Sequence, residues 1–352
     1  MGFFSYLRVE IRRVFLLPNT WMAMLLTLCA PLIGFFGFYQ PVTQLSTTSS
    51  GLLIGNPTMA GAIAAAVLFA LLTLFELDRV HKNHIDRLTD TIVSPLTMYL
   101  TRIISMLAAA TLAGVLATGI YLPYTIIKMG HLFDWTTYLG CWLLVFLPAL
   151  WIGCLMAAVF YQLTRRVDFS FVLILAGALL CFLPFSHYDF ILRWINPDVP
   201  FLSDLFGNAQ PLRMAFWNRA FWLAALVGLY IISWLCVRKY GKGMLGSFLF
   251  NGKRLYRPAL GVVFIVLAVQ LYVGQPFVSR AAPGYDPDLL HFMRMERSSS
   301  LPPAFSNVHT KIVPDLNNGT IKAFSTWNVY NLFYPYLPTG YEIGRASCRE
   351  RV

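Results

Sequence analysis

Residues Glu76 to Arg102 read ELDRVHKNHIDRLTDTIVSPLTMYLTR, and this is the only long stretch dense in both signs of charge within an otherwise apolar first half. Charged side chains are costly in the hydrocarbon of a bilayer. We therefore predict that the stretch is an aqueous loop between two membrane spans. Helical spacing of its apolar residues predicts a short surface helix. Ser94-Pro95 predicts a break, because proline disfavours helix in the residue before it.

The composition of the whole chain indicates a membrane protein. Of its 352 residues, 57% are hydrophobic and only 12% are charged, whereas a soluble domain has about 25% charged residues. The net charge of +11 would suggest nucleic-acid binding in a soluble protein. In a membrane protein, the informative point is which loops carry the positive charge. We predict an all-α polytopic membrane protein in the lipid bilayer, with no nucleic acid as partner.

Seven apolar stretches have the length of a membrane span. They lie at about residues 20–39, 59–75, 103–127, 135–161, 169–186, 220–237 and 258–279. Residues 20–237 thus form a six-span domain, with the charged loop 76–102 after span two. The polar and aromatic segment 187–218 has apolar pieces too short to span, and we expect it to be re-entrant-like. A basic loop, 238–257, precedes span seven.

The first 19 residues precede span one and are predicted to form an amphipathic helix. Four apolar residues recur at helical spacing with three arginines between them: Phe4, Leu7, Ile11, Val14, Arg8, Arg12 and Arg13. This pattern is typical of a helix that lies in the membrane interface. The alternative is a plain N-terminal extension with a positive flank.

The distribution of lysine and arginine predicts the orientation. One set of loops holds 15 of these residues and the opposite set holds 4. The positive-inside rule then places the N-terminus and the loop 76–102 in the cytoplasm. We expect a multi-pass protein of the plasma membrane, the inner membrane of a bacterium, with residues after about Ser279 outside.

The sequence changes character after span seven. Residues 280–341 contain more proline, serine and asparagine, and Lys311 to Phe324 predicts two strands around an Asn-Gly turn. We predict the start of an extracytoplasmic β-rich domain. Residues 342–352, EIGRASCRERV, resemble the translation of a sequencing adapter. We expect this tail to be no part of the native protein, and the native C-terminal part to be missing.

Several motifs of catalysis and energy coupling are not found in the sequence. There is no phosphate-binding loop of the form GxxxxGK[ST] and no HExxH. His81 and His84 could bind a metal, but a solvated helical face explains them better. No predicted span has an ionisable residue near its centre, as an ion-coupled transporter would need. We expect no enzymatic activity and no cofactor, and energy supplied from outside the membrane domain.

Three short patterns of the charged stretch resemble a known family. They are Phe75-Glu76-x-x-Arg79, Asp90-Thr91-x-x-Ser94-Pro95 and Tyr99-x-x-Arg102. With the N-terminal helix, the charge-free first spans and the re-entrant-like segment, the stretch from about Ser5 to Lys239 resembles the type-2 ATP-binding-cassette exporter permeases. The seventh span and the β-rich start are similar to permeases fused to a periplasmic metallopeptidase-like domain.

The resemblance implies a function, a partner and a site. The chain would be the permease subunit of an ATP-driven exporter, working as a homodimer or pseudo-dimer with a separate ATP-binding-cassette ATPase subunit. The segment after span two would pack against that subunit. The residues implied in coupling are Glu76, Asp78, Arg79, His84, Asp86, Arg87 and Asp90.

Other interpretations of the same features stay open. The charges of the loop could simply be solvated and anchor the ends of the spans. The chain could be a multi-span anchor or regulator for an extracytoplasmic domain. A membrane-embedded enzyme is disfavoured, because no cluster of catalytic residue types recurs within the spans.

Overall fold

The computed structural model describes residues 3–37, 48–82, 93–181, 190–195, 202–204, 207–237, 244–252, 256–276, 304–315 and 320–330. The chain divides into two compact units, Met1–Val278 and Ser279–Val352. The helices of the first unit are α1 (Phe3–Leu16), α2 (Pro18–Gly37), α3 (Asn56–Lys82), α4 (Pro95–Met129), α5 (Trp135–Gly140), α6 (Leu147–Thr164), α7 (Val167–Leu180), α8 (Ala209–Ser233), α9 (Met244–Gly252) and α10 (Tyr256–Gly274).

Five helical stretches of the described chain are long and apolar enough to cross a membrane. They are Pro18–Phe36, Gly51–Arg79, Pro95–Leu132, Trp135–Thr164 and Ala209–Cys236. These correspond to predicted spans one, two, three, four and six. Predicted spans five and seven correspond to shorter apolar helices, Val167–Leu180 and Pro258–Gly274. The first unit is therefore an all-α, multi-pass membrane fold, as the composition predicts.

The charged stretch 76–102 is helical at both of its ends. Helix α3 continues without interruption through Glu76 to Lys82, and α4 already begins at Pro95. The reason is that a helix can leave the hydrocarbon and continue into water, so charge alone does not end it. The predicted break is present at Ser94, whose extended backbone and hydroxyl cap α4 by accepting the amide hydrogen of Thr97 at 3.2 Å. Residues 83–92, which include most of the predicted surface helix, lie outside the described residues.

Two further boundaries differ from the prediction. Residues 209–218, predicted as part of the re-entrant-like segment, form the first turns of α8. Pro211 is compatible with this because the amide groups of a first helical turn have no helical acceptor. Span two also begins earlier than predicted, with a π-helical turn at Gly51–Gly55.

The two π-helical turns of the described chain share a sequence pattern. The turn Gly51–Gly55 ends two residues before Pro57, and the turn Cys141–Phe146 ends two residues before Pro148. Proline donates no backbone hydrogen bond, and its ring clashes with a carbonyl group of the preceding helical turn. A widened turn avoids this clash and accommodates the missing bond. Next to Pro57, the hydroxyl of Thr58 donates to the carbonyl oxygens of Ile54 and Gly55 at 2.7 and 2.9 Å.

Helix α6 is the centre of the first unit. In the stretch Trp135–Thr164, which ends with α6, 78% of an apolar 18-residue window is buried, the largest share among the five long apolar stretches. Helix α6 packs against α3, α4, α7 and α8. A Cβ atom on Gly153 would lie only 2.3 Å from the carbonyl oxygen of Ala66. Such close backbone approach is how small residues hold membrane helices together.

The second unit contains a two-stranded antiparallel sheet. Strand β1 (Ala304–Asp315) pairs with β2 (Thr320–Tyr330), and Asp315 is opposite Thr320. The register shifts between Ser306 and His309, which indicates a β-bulge. The two predicted strands are therefore present and longer than expected. The Asn-Gly turn between them and the tail 342–352 lie outside the described residues.

We expect the substitution Gly153→Ala to lower the free energy of unfolding by about 1–3 kcal/mol, because its methyl group forces α3 and α6 apart. The midpoint of thermal unfolding in detergent measures this. Gly119→Ala in α4 is the matched control, since nothing lies within 4 Å of its Cβ position. The control should be unchanged or slightly more stable, because alanine favours helix. Equal effects of both substitutions would contradict the close contact.

Candidate functional site

The structure places three of the seven predicted coupling residues. Glu76, Asp78 and Arg79 lie in the last turns of α3. The other four, His84, Asp86, Arg87 and Asp90, lie outside the described residues. The described part of the site therefore consists of the end of α3 and the residues that contact it.

Glu76 belongs to an ionic cluster that joins three helices. Arg13 of α1 lies between two carboxylates: its Nη1 is 2.8 Å from Glu76 Oε2 and its Nε donates to Glu10 Oε2 at 2.5 Å. On the other side of Glu10, Arg102 Nε of α4 is 3.8 Å from Oε1. Tyr6 donates its hydroxyl hydrogen to the same oxygen at 2.9 Å. We name Glu10, Arg13, Glu76 and Arg102 the ionic cluster.

The ionic cluster is largely shielded from solvent. The side chains of Glu10, Glu76 and Arg102 are 5%, 8% and 7% exposed, and that of Arg13 is 22% exposed. Two carboxylates and two guanidinium groups make it neutral. Burying a charge is tolerable only when it is paired, so removing one member leaves another charge buried without compensation. The four residues therefore depend on one another.

The pKa values on α1 reflect this pairing. Burial alone would raise the pKa of Glu10, but Arg13, Arg102 and the Tyr6 hydroxyl together lower it below the ordinary 4.5. Burial works against the charge of Arg13, yet Glu10 and Glu76 hold its pKa above the ordinary value. Burial and the neighbouring Glu10 carboxylate raise the pKa of Tyr6 to about 12. All three groups thus keep the protonation state that the cluster requires at neutral pH.

Helix α1 buries only part of the apolar face that its sequence pattern predicts. Glu10 and Val14 are its buried residues, whereas Phe4, a member of the predicted apolar stripe, is 81% exposed. The predicted helix is present, but a carboxylate at the centre of its buried face fixes it to the bundle. A lone glutamate within a strongly basic helix was the sequence signal for this contact.

The neighbouring carboxylate of α3 contacts the central helix. Tyr161 of α6 donates its hydroxyl hydrogen to Asp78 Oδ1 at 2.9 Å. The Arg165 guanidinium carbon, just beyond α6, lies 6.0 Å from the centre of the Tyr161 ring. Glu76 and Asp78 therefore connect the end of α3 to α1 on one side and to α6 on the other. Arg79 is partly exposed at the same end.

The pattern Tyr99-x-x-Arg102 also has a structural basis. Arg102 contacts Glu10, while Tyr99 donates to the carbonyl oxygen of Ala158 at 3.0 Å and lies 3.3 Å from the hydroxyl of Ser233. The first turns of α4 are thus bonded to α1, α6 and α8. Sequence reasoning quoted Arg102 in a motif but did not include it, Glu10 or Arg13 among the site residues.

A buried arginine lies within the helix that corresponds to predicted span six. Arg219 lies within α8 and is 2% exposed. Its Nη1 donates to the carbonyl oxygen of Trp194 at 2.5 Å, and its Nη2 donates to that of Val145 at 3.1 Å. Val145 belongs to the π-helical turn before α6. Because α8 begins at Ala209, Arg219 is part of this helix and not of a separate outer segment.

Other α8 side chains hold the same outer segment. The amide nitrogen of Asn218 donates to the carbonyl oxygens of Ile191 and Arg193 at 3.1 and 3.0 Å. The indole of Trp222 donates to that of Ile191 at 2.7 Å. An arginine stays protonated in proteins, so Arg219 supplies no proton-release step. Its role is structural, because its guanidinium group holds the segment 190–195 against α8.

A further contact involves the start of span two. The carboxylate of Asp204 accepts the amide hydrogens of Ser49 and Ser50 at 2.7 and 2.8 Å. Thr48 donates its hydroxyl hydrogen to the carbonyl oxygen of Leu202 at 2.6 Å. Residues 202–204 of the predicted re-entrant-like segment therefore cap a helix start, where free amide groups need an acceptor.

Metal ligation has no support in the part of the chain that the structure describes, where no three His, Cys, Asp or Glu side chains come together. The side chain of His81 and all of His84 lie outside that part. The prediction for these two histidines therefore stays a prediction.

We expect Glu10→Gln to lower the free energy of unfolding by about 3 kcal/mol, because Arg13 and Arg102 then lose a buried counter-charge. Helix α1 should also become sensitive to limited proteolysis. Arg12→Gln is the control, since Arg12 is on the exposed face of the same helix. If both variants unfold at the same temperature as the unaltered protein, the ionic cluster contributes nothing.

The low pKa of Glu10 predicts an acid-sensitive stability. Because the folded protein lowers this pKa below 4.5, the unfolded chain binds the proton more readily, and acid favours unfolding. The contribution of Glu10 is complete above about pH 4.5 and is lost as the pH falls through the folded pKa. Thermal unfolding is measured from pH 7 to pH 3. The difference in unfolding midpoint between the unaltered protein and Glu10→Gln should shrink only below pH 4.5. A constant difference would refute the assignment.

Comparison with known proteins finds no match: no family model matches the sequence, and neither do curated proteins or solved structures. The contacts described above are therefore the basis on which a function is proposed.

Proposed function

We propose that this chain is the membrane-spanning permease subunit of an ATP-driven exporter. A separate ATP-binding-cassette ATPase subunit would dock on the segment that begins at Glu76 and ends at Arg102. The observation that supports this best is the ionic cluster, because it ties both ends of that segment to a third helix, α1.

Mechanical coupling needs a rigid connection between the docking segment and the spans. Glu76 and Arg102 flank the segment, and both interact with residues of α1. Asp78 and Tyr99 connect the same two helix ends to α6, which belongs to the most buried of the five long apolar stretches of the described chain. Packed interiors shift between discrete arrangements and do not deform continuously. A displacement of the segment would therefore move α1, α3 and α4 together against α6.

The remaining features of the proposal follow from the sequence. The positive-inside rule supports an N-terminus in the cytoplasm of a plasma or bacterial inner membrane. The ATPase subunit would then meet the segment from the cytoplasm. Exporters of this kind work with two permease halves, so we propose a homodimer or pseudo-dimer. The chain itself would perform no catalysis and hold no cofactor.

The second candidate is a multi-span anchor or regulator for an extracytoplasmic, metallopeptidase-like domain. The observation that favours it is the separate unit Ser279–Val352 with its β-hairpin. Under this alternative, the ionic cluster would only fix α1 at the membrane. The two candidates differ in whether an ATPase subunit binds the chain.

The test is to purify the tagged full chain from its native membranes and to measure ATP hydrolysis in lipid vesicles. We expect a phosphate-loop ATPase to copurify in stoichiometric amount. The double variant Arg79→Glu and Arg87→Glu should lower ATP hydrolysis at least about tenfold, because like charges opposed across an interface cost several kcal/mol. The control Arg12→Glu reverses an exposed charge on α1 and should leave the rate unchanged.

Two outcomes would overturn the proposal. If no ATPase copurifies, the anchor becomes the better explanation. If an ATPase copurifies and the double variant hydrolyses ATP at the normal rate, the segment is not the coupling site. Insertion and accumulation of each variant are checked first by quantifying the protein in the membrane fraction.

A further inference from the structure

An apolar groove of about 450 Å³ lies between α4 and α8, with α6 as its floor. One wall is formed by α4 from Leu100 to Leu107, and the other by the α8 side from Leu223 to Trp234. Trp151 and Leu155 line the floor. All lining side chains are aliphatic or aromatic. Helices α4 and α8 both pack against α6, which leaves the space between their faces unfilled.

The length of the groove matches one leaflet of a bilayer. Leu223 and Trp234 are eleven residues apart in the sequence, which corresponds to about 16 Å at the helical rise of about 1.5 Å per residue. The hydrocarbon core of a bilayer is about 30 Å thick, so one leaflet contributes about 15 Å. Trp234 lies two residues before the end of the apolar stretch Ala209–Cys236. We therefore place this end of the groove at the membrane surface, from which the groove would reach about the bilayer midplane.

The surface end of the groove is positively charged. Arg165 and Arg166 follow α6 at this end, and Arg165 interacts electrostatically with Tyr99 and Cys236. The ring of Tyr99 is 5.1 Å from that of Tyr230, which lines the groove. An apolar slot below a basic surface is complementary to an acyl chain below an anionic headgroup.

We propose that this groove binds an anionic phospholipid, with one acyl chain between α4 and α8 and the phosphate near Arg165 and Arg166. A zwitterionic lipid would fill the slot equally well but gain less from the arginines. The inference goes beyond the proposed exporter function and does not depend on it, since a permease and an anchor would both carry the site. Because the basic end of the groove is the end at Trp234, the lipid would come from the leaflet on that side of the membrane.

The test is native mass spectrometry of the full chain, titrated in detergent with dioleoylphosphatidylglycerol or dioleoylphosphatidylcholine. We expect one phosphatidylglycerol to bind at least about tenfold more tightly than phosphatidylcholine. Ile104→Trp should abolish this tight binding by filling the groove. Val115→Trp is the matched control on α4, because Val115 is exposed but does not line the groove, and it should bind as the unaltered protein does.

A second variant tests the headgroup separately. The double substitution Arg165→Gln and Arg166→Gln leaves the groove intact, so both lipids should then bind with equal affinity. If Ile104→Trp does not accumulate, Leu223→Trp fills the groove from the opposite wall.

Three results would overturn the proposal. The first is equal affinity for both lipids in the unaltered protein. The second is unchanged phosphatidylglycerol binding when the groove is filled. The third is a change from dimer to monomer in Ile104→Trp with lipid binding retained, which would show that a second copy of the chain occupies the groove.

Discussion

The carboxylate of Glu10 lies between two guanidinium groups, and the arrangement of the helix ends around it depends on this pairing. Arg13 and Arg102 come from different helices, and Arg13 continues the chain of charges to Glu76 on a third. None of these groups could be buried alone, because an unpaired charge away from water is far less stable than a paired one. The cluster therefore specifies which helix ends meet. A purely apolar contact at the same place would permit several arrangements of similar free energy.

The apolar part of the fold is determined by a different constraint, the close approach of backbones. Lipid chains are as apolar as leucine, so membrane helices gain little from hydrophobic burial against each other. Gly153 lets α6 reach the carbonyl oxygen of Ala66, and Gly228 lets α8 approach Gly261 of α10, where an added Cβ would be 2.9 Å from the carbonyl oxygen. Polar side chains then fix the rotation of each helix, as Tyr161 does with Asp78. In this unit, small residues thus allow close contact between helices, and hydrogen bonds fix how each helix is rotated against its neighbours.

Composition and apolar length predicted the membrane class and the places of five of the seven predicted spans, because both depend on local hydropathy alone. The strands around the Asn-Gly pair were also predictable, since alternation and turn chemistry are local. The boundaries at Lys82 and Ala209 were not, because a helix extends past the hydrocarbon wherever nothing in the sequence ends it. For the same reason, Arg219 lies within α8 and not in the segment before predicted span six. The contacts of Glu10 with Arg102 and of Tyr99 with Ala158 join residues far apart in sequence, and no local pattern identifies such partners.

Helix α1 is constrained from two sides, and this bears on how force could pass through the molecule. Its buried face is fixed by Glu10 and Val14, while Phe4 and Leu16 are 81% and 73% exposed. In the predicted interfacial position, these exposed apolar residues would resist movement of α1 along the membrane normal, because they would have to leave the lipid or enter the headgroups. The exposed Arg8 and Arg12 add a preference for the anionic surface. In the proposed exporter, a displacement of the segment after α3 would therefore move α1 sideways, together with α3 and α4, against α6.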